Sequence, residues 1–199
     1  MKINLRLCTL LCCLLLSACA TNPNPPGSAV YDFGPLPAQP AIGALPPLSL
    51  AEITAPAWLD SPNMVYRLSY ANRQQARPYT DSHWSMPPAE LLTQRLKARL
   101  AAAGGIVASL SDSALTLPLL RIELDDFSQD FETPGASTVQ VAARATLYSG
   151  RTLLAQTSLR RQMPATSPDA AGSARALADA SDLLITDLLQ WLTTAAPKK

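Results

Sequence analysis

The stretch Thr138-Val139-Gln140-Val141-Ala142-Ala143-Arg144-Ala145-Thr146-Leu147-Tyr148-Ser149 (TVQVAARATLYS) decides the fold class. Val139, Val141, Ala143, Ala145 and Leu147 share one face, and Gln140, Arg144 and Thr146 fall on the other. A period of two with one apolar face is a half-buried strand. Ser149-Gly150 marks a turn, so Arg151 to Gln162 becomes the partner strand of a long hairpin. Upstream, Pro118 to Phe127 repeats the alternation, with Leu120, Ile122 and Leu124 against Arg121, Glu123 and Asp125.

Helical periodicity appears on both sides of this strand block. Leu92, Leu96, Leu100 and Ala103 recur every three or four residues, as one buried helix face does, with Arg95, Lys97 and Arg99 expected in solvent. The segment His83-Trp84-Ser85-Met86-Pro87-Pro88 leads into this helix, and Gly104-Gly105 stops it. After the hairpin, Ser167-Pro168-Asp169 opens a last helix, with Ser167 as cap, Pro168 in the first position and an acid at the positive dipole end. Ala174, Leu177, Ala178, Leu184, Ile185, Leu188 and Leu192 form its buried face.

The N-terminal half is punctuated by proline: ten of the 18 prolines lie between Pro23 and Pro62. Tyr31-Asp32-Phe33-Gly34 reads as a first short strand, Gln39 to Pro47 as a linker, and Leu48 to Ala55 as a second strand. Asn63 to Tyr70 (NMVYRLSY) is a third, with Met64, Tyr66 and Leu68 on one face. Asn72 to Gln75 would turn it into a return strand at Arg77 to Thr80. The resulting order predicts an α+β domain, a largely antiparallel sheet with two main helices packed on one face.

Residues 1–18 are different in kind. Lys2 and Arg6 precede a ten-residue apolar run, Leu7 to Leu16, too short to span a membrane, which needs about 20 apolar residues. This is a signal peptide, and its Leu16-Ser17-Ala18-Cys19 ending resembles the bacterial lipoprotein processing box. Cys19 would become the acylated first residue, 19–30 a Pro-rich tether, and 31–196 one domain. Ala20 after the cysteine favours sorting to the outer membrane. Cys8, Cys12 and Cys13 leave with the leader, so the mature domain has no thiol for a disulfide, a thiolate metal site or nucleophilic catalysis. Its 14 basic and 15 acidic side chains give a net charge of −1, without the basic field that recruits nucleic acid. Leu183 to Leu192 is interrupted by Asp187 and Gln190, so the chain is expected to be anchored to a membrane and not to cross it.

With the lipoprotein ending in place, further segments form a recognisable series. Tyr31-Asp32-Phe33 is followed by Ala57-Trp58-Leu59-Asp60-Ser61-Pro62 and Met64-Val65-Tyr66-Arg67. Trp84-Ser85-Met86-Pro87-Pro88 then enters the Leu-rich helix, and a strand pair and C-terminal helix follow. In this order the chain resembles the ABC-type transport auxiliary lipoprotein family, which includes the paraquat-inducible protein C type. His83 is a mild departure from the resemblance, since many relatives carry a basic residue before the tryptophan. The resemblance implies a non-enzymatic component without cofactors, on the periplasmic face of the outer membrane. It also implies partnership with a mammalian-cell-entry domain protein and its ABC transporter subunits, and a possible homo-oligomer.

Other constellations are poorer in chemistry. Asp81-Ser82-His83 contains triad residue types, but consecutive residues do not form a relay, and His83 reads as a loop histidine before a helix. One histidine and no mature thiol leave only carboxylates as other strong ligands, so no metal site is expected. Asp125, Asp126 and Asp130 lack calcium-loop spacing and read as solvated loop acids. Trp84 reads as an aromatic plug, with a partner or lid contact beside Met86 and Tyr79 as its alternative. Trp58, next to Leu59 in a Pro-flanked loop, is equally a partner contact or a packing residue. Arg67, Arg73 and Arg77 read as a solvated hairpin face, with acidic headgroups or partner carboxylates as the functional alternative. The function expected is a docking subunit of a lipid-transport system. A lipid-binding carrier with an apolar cleft is the first alternative and an envelope hydrolase the second.

Overall fold

A computed structural model describes residues 27–38, 43–109 and 117–195. The signal peptide, Cys19, most of the tether and part of the Gln39–Pro47 linker lie outside the described residues. The described elements are two helices and one eight-stranded sheet. Three long strands form its backbone: β6 (Leu119–Thr133), β7 (Ala136–Ser149) and β8 (Thr152–Pro164). They run as an antiparallel meander, with Val139↔Gln129 and Val139↔Met163 in register across the central strand. The alternation expected of β7 holds over its whole length, and Val139, Val141, Ala143, Ala145 and Leu147 are all buried.

The other edge of β6 is shared by two short strands in tandem. β2 (Leu48–Leu50) pairs in parallel with Leu119-Leu120, and Thr54 bridges Glu123. The chain then leaves the edge through residues 55–62 and returns as β3 (Asn63–Leu68), parallel to Gln129–Phe131. β4 (Asn72–Trp84) lies antiparallel outside β3, β1 (Ala29–Tyr31) parallel outside β4, and β5 (Val107–Ser109) parallel outside β2. The α+β class and the antiparallel character of the long ladders hold. Among the described residues the sheet is mixed, because the four short pairings are parallel.

Both helices, α1 (Pro88–Ala102) and α2 (Ala170–Ala195), contribute to one apolar cluster with the inward residues of β6 and β7. Leu92, Leu96 and Leu100 of α1 and Leu177, Leu184, Ile185, Leu188 and Leu192 of α2 are buried there. The opposite sheet face is polar and laced by cross-strand bonds, Gln162–Thr138, Gln156–Thr146 and the bridges from Arg144 to Glu123 and Asp125. Gly104 ends α1 at φ +72°, where a side chain would be strained.

Several boundaries differ from expectation. Strand β1 lies within the tether's expected span, because Ala29 and Val30 already pair with Ser82 and His83. The return strand β4 runs to Trp84, so His83 is a strand residue and not a loop residue. Arg95 and Arg99 are not in solvent: they are 7% and 4% exposed, and of the three cations only Lys97 reaches it, where it meets Glu52. The cap of α2 is Asp169, not Ser167. Its Oδ1 accepts the Gly172 N–H at 2.7 Å and the Ser167 hydroxyl at 2.8 Å.

Candidate functional site

Two exposed aromatic side chains, Trp58 and Tyr70, and three arginines lie where residues 55–62 meet β3 and β4. Trp58 is 38% exposed. The Arg67 guanidinium lies 5.4 Å from its ring centroid, a cation–π contact on the polar side of the sheet. The same guanidinium donates to the carbonyls of Arg73 and Gln74, where β4 bulges away from β3. Beyond the bulge, Tyr70 at the hairpin tip is 49% exposed. Trp58, Arg67 and the β3–β4 turn are therefore one connected unit. Arg77 lies on the opposite face, opposed to Tyr66 in the ladder, and binds Gln75.

Trp84 does not belong to this surface. It is 1% exposed and sits edge-on to Phe33 at 5.9 Å and Phe127 at 5.5 Å. The last residue of β4 points into the core because Ser85 N–H and Trp84 N–H are both used at the sheet edge, by the carbonyls of Tyr31 and Pro62. The plug reading describes a residue this deeply buried, and its alternative, a partner contact, does not fit 1% exposure. Met86 and Tyr79 pack beside the core, and Tyr79 donates to Gln129 at 2.7 Å. Burial, with Tyr66 alongside, drives the Tyr79 phenol well above its ordinary ionisation range.

A cluster that the sequence reading placed in solvent lies between the helices. Arg95 Nε is 3.4 Å from Asp182 of α2, and its Nη2 donates to the carbonyl of Phe33. Arg99 donates to Thr186 at 3.1 Å. The buried Asp182 carboxylate is thus ion-paired with Arg95 and feels the charge of the nearby buried Arg99. Burial raises the Asp182 carboxyl above its usual range despite the attraction of both arginines, and burial also lowers Arg99. The cluster ties the segment after β1 to both helices. Its signal was present in the sequence: Leu92, Arg95, Leu96, Arg99 and Leu100 form an i, i+3, i+4, i+7, i+8 stripe, so both arginines share the buried face.

The remaining candidates are not gathered into chemistry. His83 Nδ1 meets the Ser28 hydroxyl at 2.9 Å, an exposed contact between β1 and β4. Asp125 is held by Arg144, while Asp126 accepts from Ser128 and Gln140. Among the described residues no group of three or more metal-ligating side chains forms. The clefts are shallow and carry charge. One of about 440 Å³ beside residues 30–34 is flanked by Asp32, Arg175 and Asp179. Another, lined by Phe33, Leu36, Leu91 and Arg95, measures about 290 Å³. No helix among the described residues is long and apolar enough to cross a membrane.

The fold has solved counterparts. Protein XCC0632 from Xanthomonas campestris is 21% identical with a TM-score of 0.71, covering 82% of this chain and 93% of that one. A second uncharacterized protein is 15% identical with a TM-score of 0.65, covering 83% and 99%. CT253 from Chlamydia trachomatis is 7% identical with a TM-score of 0.50, covering 76% and 98%. These likenesses concern the fold. No curated protein sequence matches this chain. The ABC-type transport auxiliary lipoprotein component family matches residues 31–188, from the end of β1 into the last turns of α2. The chain therefore belongs to the ABC-type transport auxiliary lipoprotein component family.

Proposed function

We propose that this protein is a non-enzymatic docking subunit of an envelope lipid-transport system. Acyl chains on Cys19 hold the domain at the periplasmic face of the outer membrane. There it meets a mammalian-cell-entry protein served by an ABC transporter. The observation that carries this reading is the family match over residues 31–188; the reading of residues 1–19 as a lipoprotein leader supports it. The mechanism is positional: two or more acyl chains give stable anchoring, and the folded domain presents a contact surface at a fixed height. Trp58 is the contact residue proposed, since it is a large aromatic presented in a short loop and oriented by Arg67.

A lipid carrier fits less well, because the clefts flanking the helices are lined by Asp32, Arg95, Arg175 and Asp179, which do not favour acyl chains. A hydrolase would need a carboxylate behind the imidazole and a cleft around the pair; the Ser28–His83 contact lies exposed at the sheet edge, and among the described residues no carboxylate bonds to His83.

The test is cross-linking of the tagged lipoprotein in intact cells, followed by mass spectrometry. Recovery of a mammalian-cell-entry protein with ABC transporter subunits is expected, and Trp58→Ala should diminish it. Recovery of the lipoprotein alone would remove the docking reading. Phospholipid at about one per chain on the purified domain would put the carrier in its place. Cys19→Ala should release the protein from membranes or leave it unprocessed, and an acylated, membrane-bound variant would end the anchor reading.

A further inference from the structure

We propose that the end of the sheet formed by the β3–β4 hairpin rests on the phospholipid headgroups of the leaflet that holds the acyl anchor; this rests on the lipoprotein reading of Cys19. Two independent observations carry it. The first is the direction in which the chain leaves the domain. β1 runs parallel to β4 with Ala29 opposite Ser82, so the chain before Ala29 departs toward the beginning of β4, which is the hairpin end. Ten residues separate Ala29 from Cys19, and ten separate Ser82 from Asn72 at the hairpin. Fully extended, the tether reaches about 33 Å, the length of the β4 segment it parallels. An anchor at Cys19 can therefore lie level with the hairpin tip, while the opposite end of the long strands lies farther away.

The second observation is the chemistry of that end. From Ser61 to Thr80 the chain has three arginines, three tyrosines and no carboxylate. The arginines surround the tip: Arg67 on one sheet face, Arg77 on the other and Arg73 at the bulge. Tyr70 is at the turn itself. The neighbouring β6–β7 turn adds Pro134-Gly135 to the same end, because the Tyr70 N–H lies 3.4 Å from the Phe131 carbonyl. The acids there are exposed Glu132, half-buried Asp130 and the α2 cap Asp169 beside Tyr66 and Tyr79. Guanidiniums form charge-assisted bonds to phosphate, and tyrosine and tryptophan favour the headgroup level, so this arrangement matches an anionic leaflet.

The full chain, purified from membranes with its anchor, is placed in vesicles of phosphatidylethanolamine and phosphatidylglycerol containing a headgroup spin label. A fluorophore is attached through Tyr70→Cys or, at the far end of the sheet, Leu153→Cys. Quenching several-fold stronger for the Tyr70→Cys probe is expected. In a protein whose mass shows the acyl chains, equal quenching at the two positions overturns the proposal, including the case in which the hairpin faces protein carboxylates instead. In a parallel flotation measurement at low ionic strength, the unacylated Cys19→Ala chain, which loses stable anchoring in cells, should still bind these vesicles weakly and reversibly, and Arg73→Gln and Arg77→Gln should each weaken that binding about fivefold. Binding unchanged by both substitutions overturns it too. A purified protein without acyl chains would refute the anchor alone, leaving the flotation result to decide the headgroup contact.

Discussion

Replacing Trp84 by alanine separates core burial from partner contact. Trp84 is 1% exposed, ends β4, and contacts Phe33 and Phe127 edge-on at 5.9 and 5.5 Å. Its removal opens a cavity that the meander cannot collapse into, since Phe127 lies on the central ladder and Leu96 and Leu124 are already packed. Buried Trp→Ala changes cost about 3–5 kcal/mol, part of it from lost edge-to-face pairs worth ~0.5–1.5 kcal/mol each. For a domain of this size that lowers Tm by about 6–20 °C. Trp84→Phe, which keeps a ring between Phe33 and Phe127, should cost about 1–2 kcal/mol. Trp58→Ala should cost about 1 kcal/mol or less, because it loses little more than the Arg67 contact. Thermal melts by circular dichroism, with urea denaturation for free energies, measure all three. A Trp84→Ala protein melting within about 3 °C of the parent would refute the burial argument and return Trp84 to the contact surface.

Arg95→Met leaves Asp182 buried with Arg99 alone and removes the bond to Phe33; a loss of about 3 kcal/mol is expected in urea. The triple change Arg95→Met, Arg99→Met, Asp182→Leu should recover most of that loss, since burial already outweighs the attraction at Asp182. Asp169→Ala should cost about 1 kcal/mol at neutral pH. The Gly172 amide and Ser167 hydroxyl hold the folded Asp169 carboxyl below its ordinary value, so this stability is present above the ordinary carboxyl range and lost as pH falls through the folded value. The Tm gap between parent and variant should therefore close on acidification, and a gap independent of pH would contradict the cap. Gly172→Ala should destabilise by more than the cap alone, since a Cβ there would lie 2.2 Å from the Ser167 carbonyl oxygen.

Strand β7 was legible because one face is buried throughout, so the alternation is unbroken. The end of β6 was not: a register shift between Leu124 and Asp126 breaks the period, after which Phe127, Ser128 and Gln129 are buried in succession. β5 has three residues and takes its identity from its parallel partner β2, a tertiary cause without a local pattern. Arg95 and Arg99 put charge on a buried stripe, where their residue type points to solvent and their periodicity to the core; the periodicity wins. The family was readable from ordered segments, and the β3–β4 surface was readable residue by residue. The link from Trp58 through Arg67 to the bulge required coordinates, since nothing in their spacing brings them together.

The tandem occupation of one β6 edge has a kinetic consequence. Ser49 is in register with Leu119 and Tyr66 with Gln129, so each strand meets its partner more than sixty residues later in the chain. The meander β6–β7–β8, by contrast, closes through short turns. Loop-closure entropy makes such distant parallel pairings slow relative to local hairpins. The C-terminal half is thus the template, and β2 and β3 attach to a finished edge. During synthesis and export the N-terminal half emerges first and waits, with Leu48, Leu50 and Met64 uncovered, until β6 arrives. Holding that early half apart from its neighbours is the folding problem this topology sets.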